Sequence, residues 1–327
     1  MKTALWLIAA ALPLAAQPKL LVNAQTDTRS AAAGLEQTLR PLVTAQPQPA
    51  WIGYTVPGVR TFMGCDYVRD GFNQPGVVHL EPPDHAVILF RVDAGEIQRI
   101  RTLSPDCQID AGNLPMHWLS DVKPAESVAM LTALAEKRDR YSDSAMNAIA
   151  VHSDAAAEAA LKRYLDPSQP SSVRVKAVGW FGNYRGRTGF DVLKNLAAND
   201  LDERVRERAI SNLGNSREAD AIDLLINTAR KDPNSRLRMA AISALNRRTG
   251  KQVLDTFQFA IENDPDVSVK RRAVNALQSM PDGEGIPLLI QLAKSTKDNE
   301  IRKQAMNSLS SSHDMRAVSF FEDVLKK

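Results

Sequence analysis

Six alanines, Ala145, Ala177, Ala209, Ala241, Ala273 and Ala305, stand 32 residues apart with no insertion between them. A fixed period of this length restricts a chain to supersecondary units stacked in a row. The same residue classes return around each alanine. The next residue is Met146, Val178, Ile210, Ile242, Val274 or Met306. Four later come Ile149, Phe181, Leu213, Leu245, Leu277 and Leu309, and four earlier Tyr141, Val173, Val205, Leu237, Val269 and Ile301. Such spacings fall on one face of a helix. A second apolar column, Leu161, Leu193, Leu225, Phe257, Leu289 and Phe321, lies 16 residues beyond each alanine and marks a second helix. Each unit therefore reads as a helical hairpin, with turns such as Gly214-Asn215-Ser216 inside it and Asp232-Pro233 or Asp264-Pro265 between units. One such hairpin cannot bury both faces of its helices, so stacking must complete the core. The expected fold is mainly α, an alpha-alpha superhelix of six 32-residue repeats over roughly 136–327.

The stretch Asp264-Pro265-Asp266-Val267-Ser268-Val269-Lys270-Arg271-Arg272-Ala273-Val274-Asn275-Ala276-Leu277, echoed by Asp232 to Leu245, resembles the short HEAT repeat of the phycobilisome-lyase-like group. Members of this repeat class mostly act as scaffolds and protein-binding surfaces, and some belong to bilin lyases or hydroxylases. The hydroxylases carry His-Glu metal ligands in similar repeats. This sequence has no His-Glu pair, so that activity is not carried over, and the lyase resemblance transfers no catalytic residue.

The resemblance also implies a structural ladder of ion pairs between Arg174, Arg206, Arg238, Lys270 and Arg302 and the turn aspartates Asp200, Asp232 and Asp264. The rival reading of that column is a basic stripe for phosphate or nucleic acid, to which Lys176, Arg208, Arg271, Arg272 and Lys303 would add. Interspersed Glu207 and Asp202 and sparse aromatics weigh against it. The family-like geometry further implies that the second helices line the inner side of the curve. Their variable positions, Asp191, Lys194, Asn195, Asp223, Asn227, Asp255, Gln258, Gln291 and Lys294, are then the candidate binding residues. Mixed in sign, they suit a protein or peptide better than a uniform polyanion.

Upstream the composition changes. Lys2 followed by the apolar run Leu5 to Ala16 is too short to span a bilayer and reads as a secretory signal peptide within residues 1–24, cut after Ala16 or after Ala24. Residues 25–50 read as a short helix, Arg29 to Arg40, broken at Pro41 and followed by a linker. Residues 51–120 read as a small β-containing module, with His85 to Val92 and Glu96 to Thr102 as strands joined at Asp93-Ala94-Gly95. In an exported chain Cys65 and Cys107 are expected to form one disulfide, tying the Asp70 to Gly76 region onto the strands. Pro124 to Arg138 should be a helix capping the solenoid of 121–327. The stretches Cys107-Gln108-Ile109-Asp110 and Leu114-Pro115-Met116-His117-Trp118 are similar to those of bacterial exported HEAT proteins, a likeness that assigns no activity.

A net charge of +3 provides no global cationic field. Gly-x-Gly-x-x-Gly, Walker, Gly-x-Ser-x-Gly and His-Glu-x-x-His motifs are missing, and the five histidines show no metal-ligand spacing. No catalytic residue, cofactor or metal is expected. The one cluster of reactive types is Asp84, His85, Asp106, Asp110, His117 and Trp118, in which Asp110 could orient His117 as a base. The sequence thus points to an exported, periplasmic or extracellular scaffold that binds a protein or peptide partner, not nucleic acid, and does not span the membrane. The alternative is an enzyme or enzyme-associated subunit with a site between module and solenoid.

Overall fold

The computed structural model describes residues 21–46, 48–60, 65 and 81–326. The apolar Leu5 to Ala16 stretch and the Asp70 to Gly76 region lie outside them. Two compact units divide the chain, Met1–Leu161 and Lys162–Lys327.

The N-terminal unit is built on a mixed sheet of β2 (Gln25–Ser30), β3 (Ala50–Pro57), β4 (His85–Asp93), β5 (Glu96–Leu103) and β7 (Pro115–Ser120), in the order β2-β7-β3-β4-β5. β7 lies parallel to both β2 and β3, while β3, β4 and β5 run antiparallel in sequence. A two-stranded piece joins β1 (Leu21–Val22) to β6 (Ile109–Asp110). The Asp93-Ala94-Gly95 hairpin forms as expected, with Ala94 and Gly95 at φ 50° and 77° matching the twist of the flanking strands.

Side chains alternate across the sheet. Ile52, Tyr54, Ile88 and Phe90 are fully buried, and the Tyr54 hydroxyl lies 2.7 Å from Ser127 on α2 (Pro124–Glu136). The other face holds Val87, Leu89, Met116 and Trp118 with Cys107, and Leu21, Ala24 and Cys65 pack against them. Gly53 makes this layer possible, because a Cβ there would stand 2.6 Å from Leu89 and 2.9 Å from Trp118. Cys65 and Cys107 are disulfide-bonded with their Cα atoms 5.3 Å apart.

The expected Arg29 to Arg40 helix is corrected. Arg29 and Ser30 end strand β2, and the helix, α1, runs Leu35–Thr44 straight through Pro41. A proline inside a helix costs about 3 kcal/mol. Burial of Leu39, Leu42 and Val43 outweighs that at about 1.5–3 kcal/mol each. Residues 25–50 are therefore not a linker: they supply a strand and a helix.

Beyond α2, α3 (Ser142–Val151) packs on α2 and β5, and the division between units falls inside α4 (Ala155–Leu165). The C-terminal unit contains α5 (Ser171–Tyr184), α6 (Gly186–Asn199), α7 (Glu203–Leu213), α8 (Asp220–Lys231), α9 (Ser235–Leu245), α10 (Lys251–Asn263), α11 (Val267–Gln278), α12 (Ile286–Ser295), α13 (Asn299–Ser310) and α14 (Met315–Leu325). The repeat alanines are buried without exception, as are Phe181, Leu213, Leu245, Leu277 and Leu309.

Of the helices adjacent in sequence, α6/α7, α8/α9, α10/α11 and α12/α13 pack more closely than α5/α6, α7/α8, α11/α12 and α13/α14. The Asp-containing turns therefore lie inside the tight hairpins and the Gly214-type turns between them, opposite to the sequence assignment. In α14 the buried positions are Ala317 and Phe320, with Phe321 only partly covered. As the last helix, it packs on α12 and α13 with no described helix following it.

Candidate functional site

The three turn aspartates carry a recurrent device. Arg174 donates to Asp200 (3.0 Å and a second, shorter bond), Arg206 to Asp232 (3.2 Å) and Arg238 to Asp264 (2.7 and 2.8 Å). Each arginine reaches the carboxylate 26 residues ahead, in the next repeat, while its own repeat contributes only backbone carbonyls, such as those of Asp232 and Pro233 for Arg238. Each aspartate also accepts the N–H two residues on, at 2.9 Å from Asp202, Asn234 and Asp266, and those three residues are the helix N-caps. Asp264, buried beside Arg238, holds the guanidinium pKa above its ordinary value.

Two of the expected rungs do not form. The position matching the aspartates is Thr296 in the next repeat, so Lys270 meets no carboxylate there, and Arg302 instead donates to the Thr296 carbonyl at 2.6 and 3.2 Å.

The candidate binding residues on the second helices are dispersed. Asp191, Lys194, Asn195, Asp223, Asn227, Gln291 and Lys294 are exposed, whereas Asp255 and Gln258 are half-buried. Several are spent locally. Asp191 pairs with Arg187 at 3.2 Å, Asp255 with Lys251 at 2.7 Å and Gln258 with Glu262 at 2.9 Å, while the Lys294 ammonium sits over the Phe320 ring.

Their layer is the outer one. α5, α7, α9, α11 and α13 pack side by side in succession, whereas the second helices meet less closely, α8 on α10 and α12 on α14, with α6 and α8, or α10 and α12, scarcely in contact. In a curved stack the more closely spaced layer is the inner layer, so the expectation for the second helices is reversed. The motif helices line the concave side.

The free faces of those inner helices are polar. Arg204, Glu207, Arg208, Ser211 and Asn215 of α7 and its turn are exposed, as are Arg236 and Arg247 around α9 and Arg271, Arg272 and Asn275 on α11. Glu203 answers Arg236 at 3.4 Å and Glu300 answers Arg271 at 3.0 Å. Where α5, α7 and α9 end, a cleft of about 450 Å³ opens, lined by Asn183, Arg208, Ser211, Asn212, Asn215, Ser243, Asn246 and Arg247. No carboxylate lines it. Periodicity pointed to helices here but not to a cleft, because its lining is polar and lies outside the apolar columns that repeat. Nearby, Trp180 and Tyr184 stack with ring centroids 6.3 Å apart, and burial raises the Tyr184 hydroxyl pKa.

In the N-terminal unit the reactive cluster does not converge. Asp84 and His85 form an exposed pair at 2.7 Å, Asp110 accepts from Asn23 at 3.0 Å, and Trp118 is core. Asp27, not Asp110, faces His117. The Nδ1 of His117 contacts the Asp27 carboxylate, and Nε2 lies 2.7 Å from the Gln46 amide nitrogen. The consistent tautomer donates from Nδ1 to Asp27 and accepts at Nε2, leaving neither ring nitrogen available as a base. Burial raises the Asp27 pKa, but the hydrogen bonds from Arg29 and His117 outweigh it and hold the carboxyl below its ordinary value. Sequence proximity missed Asp27 and Gln46, which lie 90 and 71 residues from His117.

With the geometry in hand, the HEAT-repeat family model matches residues 157–246 and 254–327, together half of the chain. The chain belongs to the HEAT-repeat family. Among solved structures, this HEAT-repeat chain is similar to the complex of CpcE and CpcF of phycocyanin lyase from Nostoc sp., at 20% identity and a TM-score of 0.38, over 46% of this chain and 97% of that one. It is also similar to human deoxyhypusine hydroxylase in complex with glycerol, at 10% identity and a TM-score of 0.30, over 61% of this chain and 90% of that one. No curated protein matches it.

Proposed function

We propose that this HEAT-repeat chain is an exported, non-catalytic scaffold that holds a protein or peptide partner in the cell envelope through the inner layer of its C-terminal unit. The observation that carries the reading is the contrast between the two sides of the inner helices. The buried side repeats alanines and aliphatics from unit to unit. The free side varies along the stack, as in Arg236, Ser268 and Glu300, or Arg272 and Gln304. A constant frame under a variable surface can be shaped to one partner without altering the stack.

Export is supported by Lys2 and the apolar Leu5 to Ala16 run, and by the Cys65–Cys107 disulfide, which suits an oxidising compartment. Among the described residues no helix is long and apolar enough to cross a membrane. A non-catalytic role is supported by His117, whose two ring nitrogens are already engaged.

In-cell crosslinking of the tagged protein in the envelope fraction, with sites mapped by mass spectrometry, tests the reading. A reproducible partner linked through residues of α5, α7, α9 and α11 is expected. Recovery of no partner under crosslinking that captures control complexes would overturn it.

A further inference from the structure

We infer that the cleft at the ends of α5, α7 and α9 binds an acidic segment of the partner, with a carboxylate held between Arg208 and Arg247. The inference rests on the scaffold reading and adds the chemistry of what is bound.

The first observation is charge without an answer. Elsewhere in the C-terminal unit many guanidinium groups meet an acid: Arg174, Arg206 and Arg238 reach turn aspartates, Arg187 reaches Glu218, and Arg236 and Arg271 reach glutamates. Arg208 has no acidic partner among the described residues, and Arg247 donates only to the neutral Asn215 amide oxygen at 3.1 Å. Both line a cleft that contains no carboxylate.

The second observation is that the cleft is held in shape. Arg208 lies across α5 where Gly179 leaves its surface bare, and a Cβ at Gly179 would stand 2.7 Å from a guanidinium nitrogen. On the far side the end of α7 meets α9 so closely that a Cβ at Gly214 would lie 2.9 Å from that of Ala244.

The third observation separates a peptide from a bare polyanion. The Asn246 amide oxygen, buried at the wall of the cleft, accepts no hydrogen bond. An acceptor in need of a donor sits beside two cations in need of an anion. A peptide bearing Asp or Glu carries both, its side-chain carboxylate for the arginines and backbone N–H groups that Asn246 meets once its side chain turns toward the cleft. Phosphate chains and DNA backbones would leave Asn246 unanswered. A guanidinium–carboxylate pair partly shielded in such a cleft is also the kind of contact whose loss is felt in affinity.

The test is fluorescence polarisation on the purified full chain, using fluorescein-labelled decapeptide pools rich in Asp and Glu and matched pools with Asn and Gln. The acidic pool is expected to bind at least tenfold more tightly than the amide pool. Arg208→Glu with Arg247→Glu should weaken it at least tenfold. Gly179→Ala, which displaces Arg208 without altering charge, should weaken it several-fold, and Asp323→Lys on α14 should change it less than twofold. Melting temperatures check folding, with Arg208→Gln and Arg247→Gln replacing any variant that fails to fold. Equal binding of the two pools, or undiminished binding by the double variant, would overturn the inference. So would equally effective competition by a single-stranded oligonucleotide of matched charge. These outcomes do not depend on crosslinking: a partner captured elsewhere on the chain would leave the scaffold reading standing while the cleft assignment fell.

Discussion

Arg238 and Asp264, 26 residues apart in sequence, are joined by two nearly parallel hydrogen bonds of 2.7 and 2.8 Å, with both side chains almost wholly shielded from water. The pair links one repeat to the next. Removing either partner leaves a buried charge without its counter-charge, so Arg238→Ala is expected to destabilise the C-terminal unit by roughly 3–5 kcal/mol. Arg236→Ala, which removes only an exposed pairing with Glu203, should cost no more than about 1 kcal/mol. Urea unfolding followed by circular dichroism compares the two, and equal losses would show that the buried pair contributes nothing special.

Helix α1 begins at Gly34, which has no side chain to cap it, and Glu126 of α2 takes that role by accepting the Leu35 N–H at 2.8 Å. The hydrogen bond from Lys123 and then that from Leu35 hold the Glu126 carboxyl below its ordinary value of 4.5. A carboxyl whose folded-state pKa is depressed stabilises fully above the unfolded value and loses that contribution as pH falls through the folded one. Wild type should therefore exceed Glu126→Gln in stability at neutral pH, and the gap should narrow as pH falls below the ordinary value of 4.5. Denaturant midpoints measured from pH 7 to pH 3 give the curve, and a gap independent of pH would exclude this role for the carboxylate.

A buried relay crosses the N-terminal unit from Tyr54 to Ser127 at 2.7 Å and from Ser127 to His152 at 3.0 Å, and the other ring nitrogen of His152 faces the Ala148 carbonyl at 2.7 Å. The sense that satisfies all members runs from the Tyr54 hydroxyl to Ser127, from Ser127 to Nε2, and from Nδ1 to Ala148. Burial raises the Tyr54 pKa, keeping it a donor. Ser127→Ala strands a donor at one end and an acceptor at the other, and an expected loss of about 1–3 kcal/mol can be read by thermal unfolding.

On the export proposed above, a signal cut after Ala16 leaves Leu21 and Val22 in place to pair with Ile109 and Asp110, and Leu21 to pack on the disulfide-side core. A cut after Ala24 would remove that strand. On that proposal the mature chain should begin at Gln17, and intact mass with N-terminal sequencing decides between the two cuts.

The periodic half of this fold was legible because a helix in a stack repeats its buried positions, and Ala209 or Leu245 can be found by counting. Which helical layer is inner was not, since period fixes the face a residue occupies and not the direction of curvature. Strand β2 escaped notice for another reason. Gln25–Ser30 is polar throughout, without the alternation that marks a strand. It is held by its ladder to β7, about 90 residues away. The cleft follows the same logic: Arg208, Asn246 and Arg247 lie outside the apolar columns, so counting buried positions passes over them.

The replacement of aspartate by Thr296 gives the stack a mechanical gradient. Up to α11, neighbouring repeats are clasped by charge as well as by packing, so a strain applied to one is handed to the next. Past that point the buried clasp is missing and the polar ties are exposed ones, such as Arg271 to Glu300 and Arg316 to the Asp282 and Gly283 carbonyls, so the C-terminal hairpin is the compliant end of an otherwise stiff spring, the part that bends first when a partner pulls on the concave face.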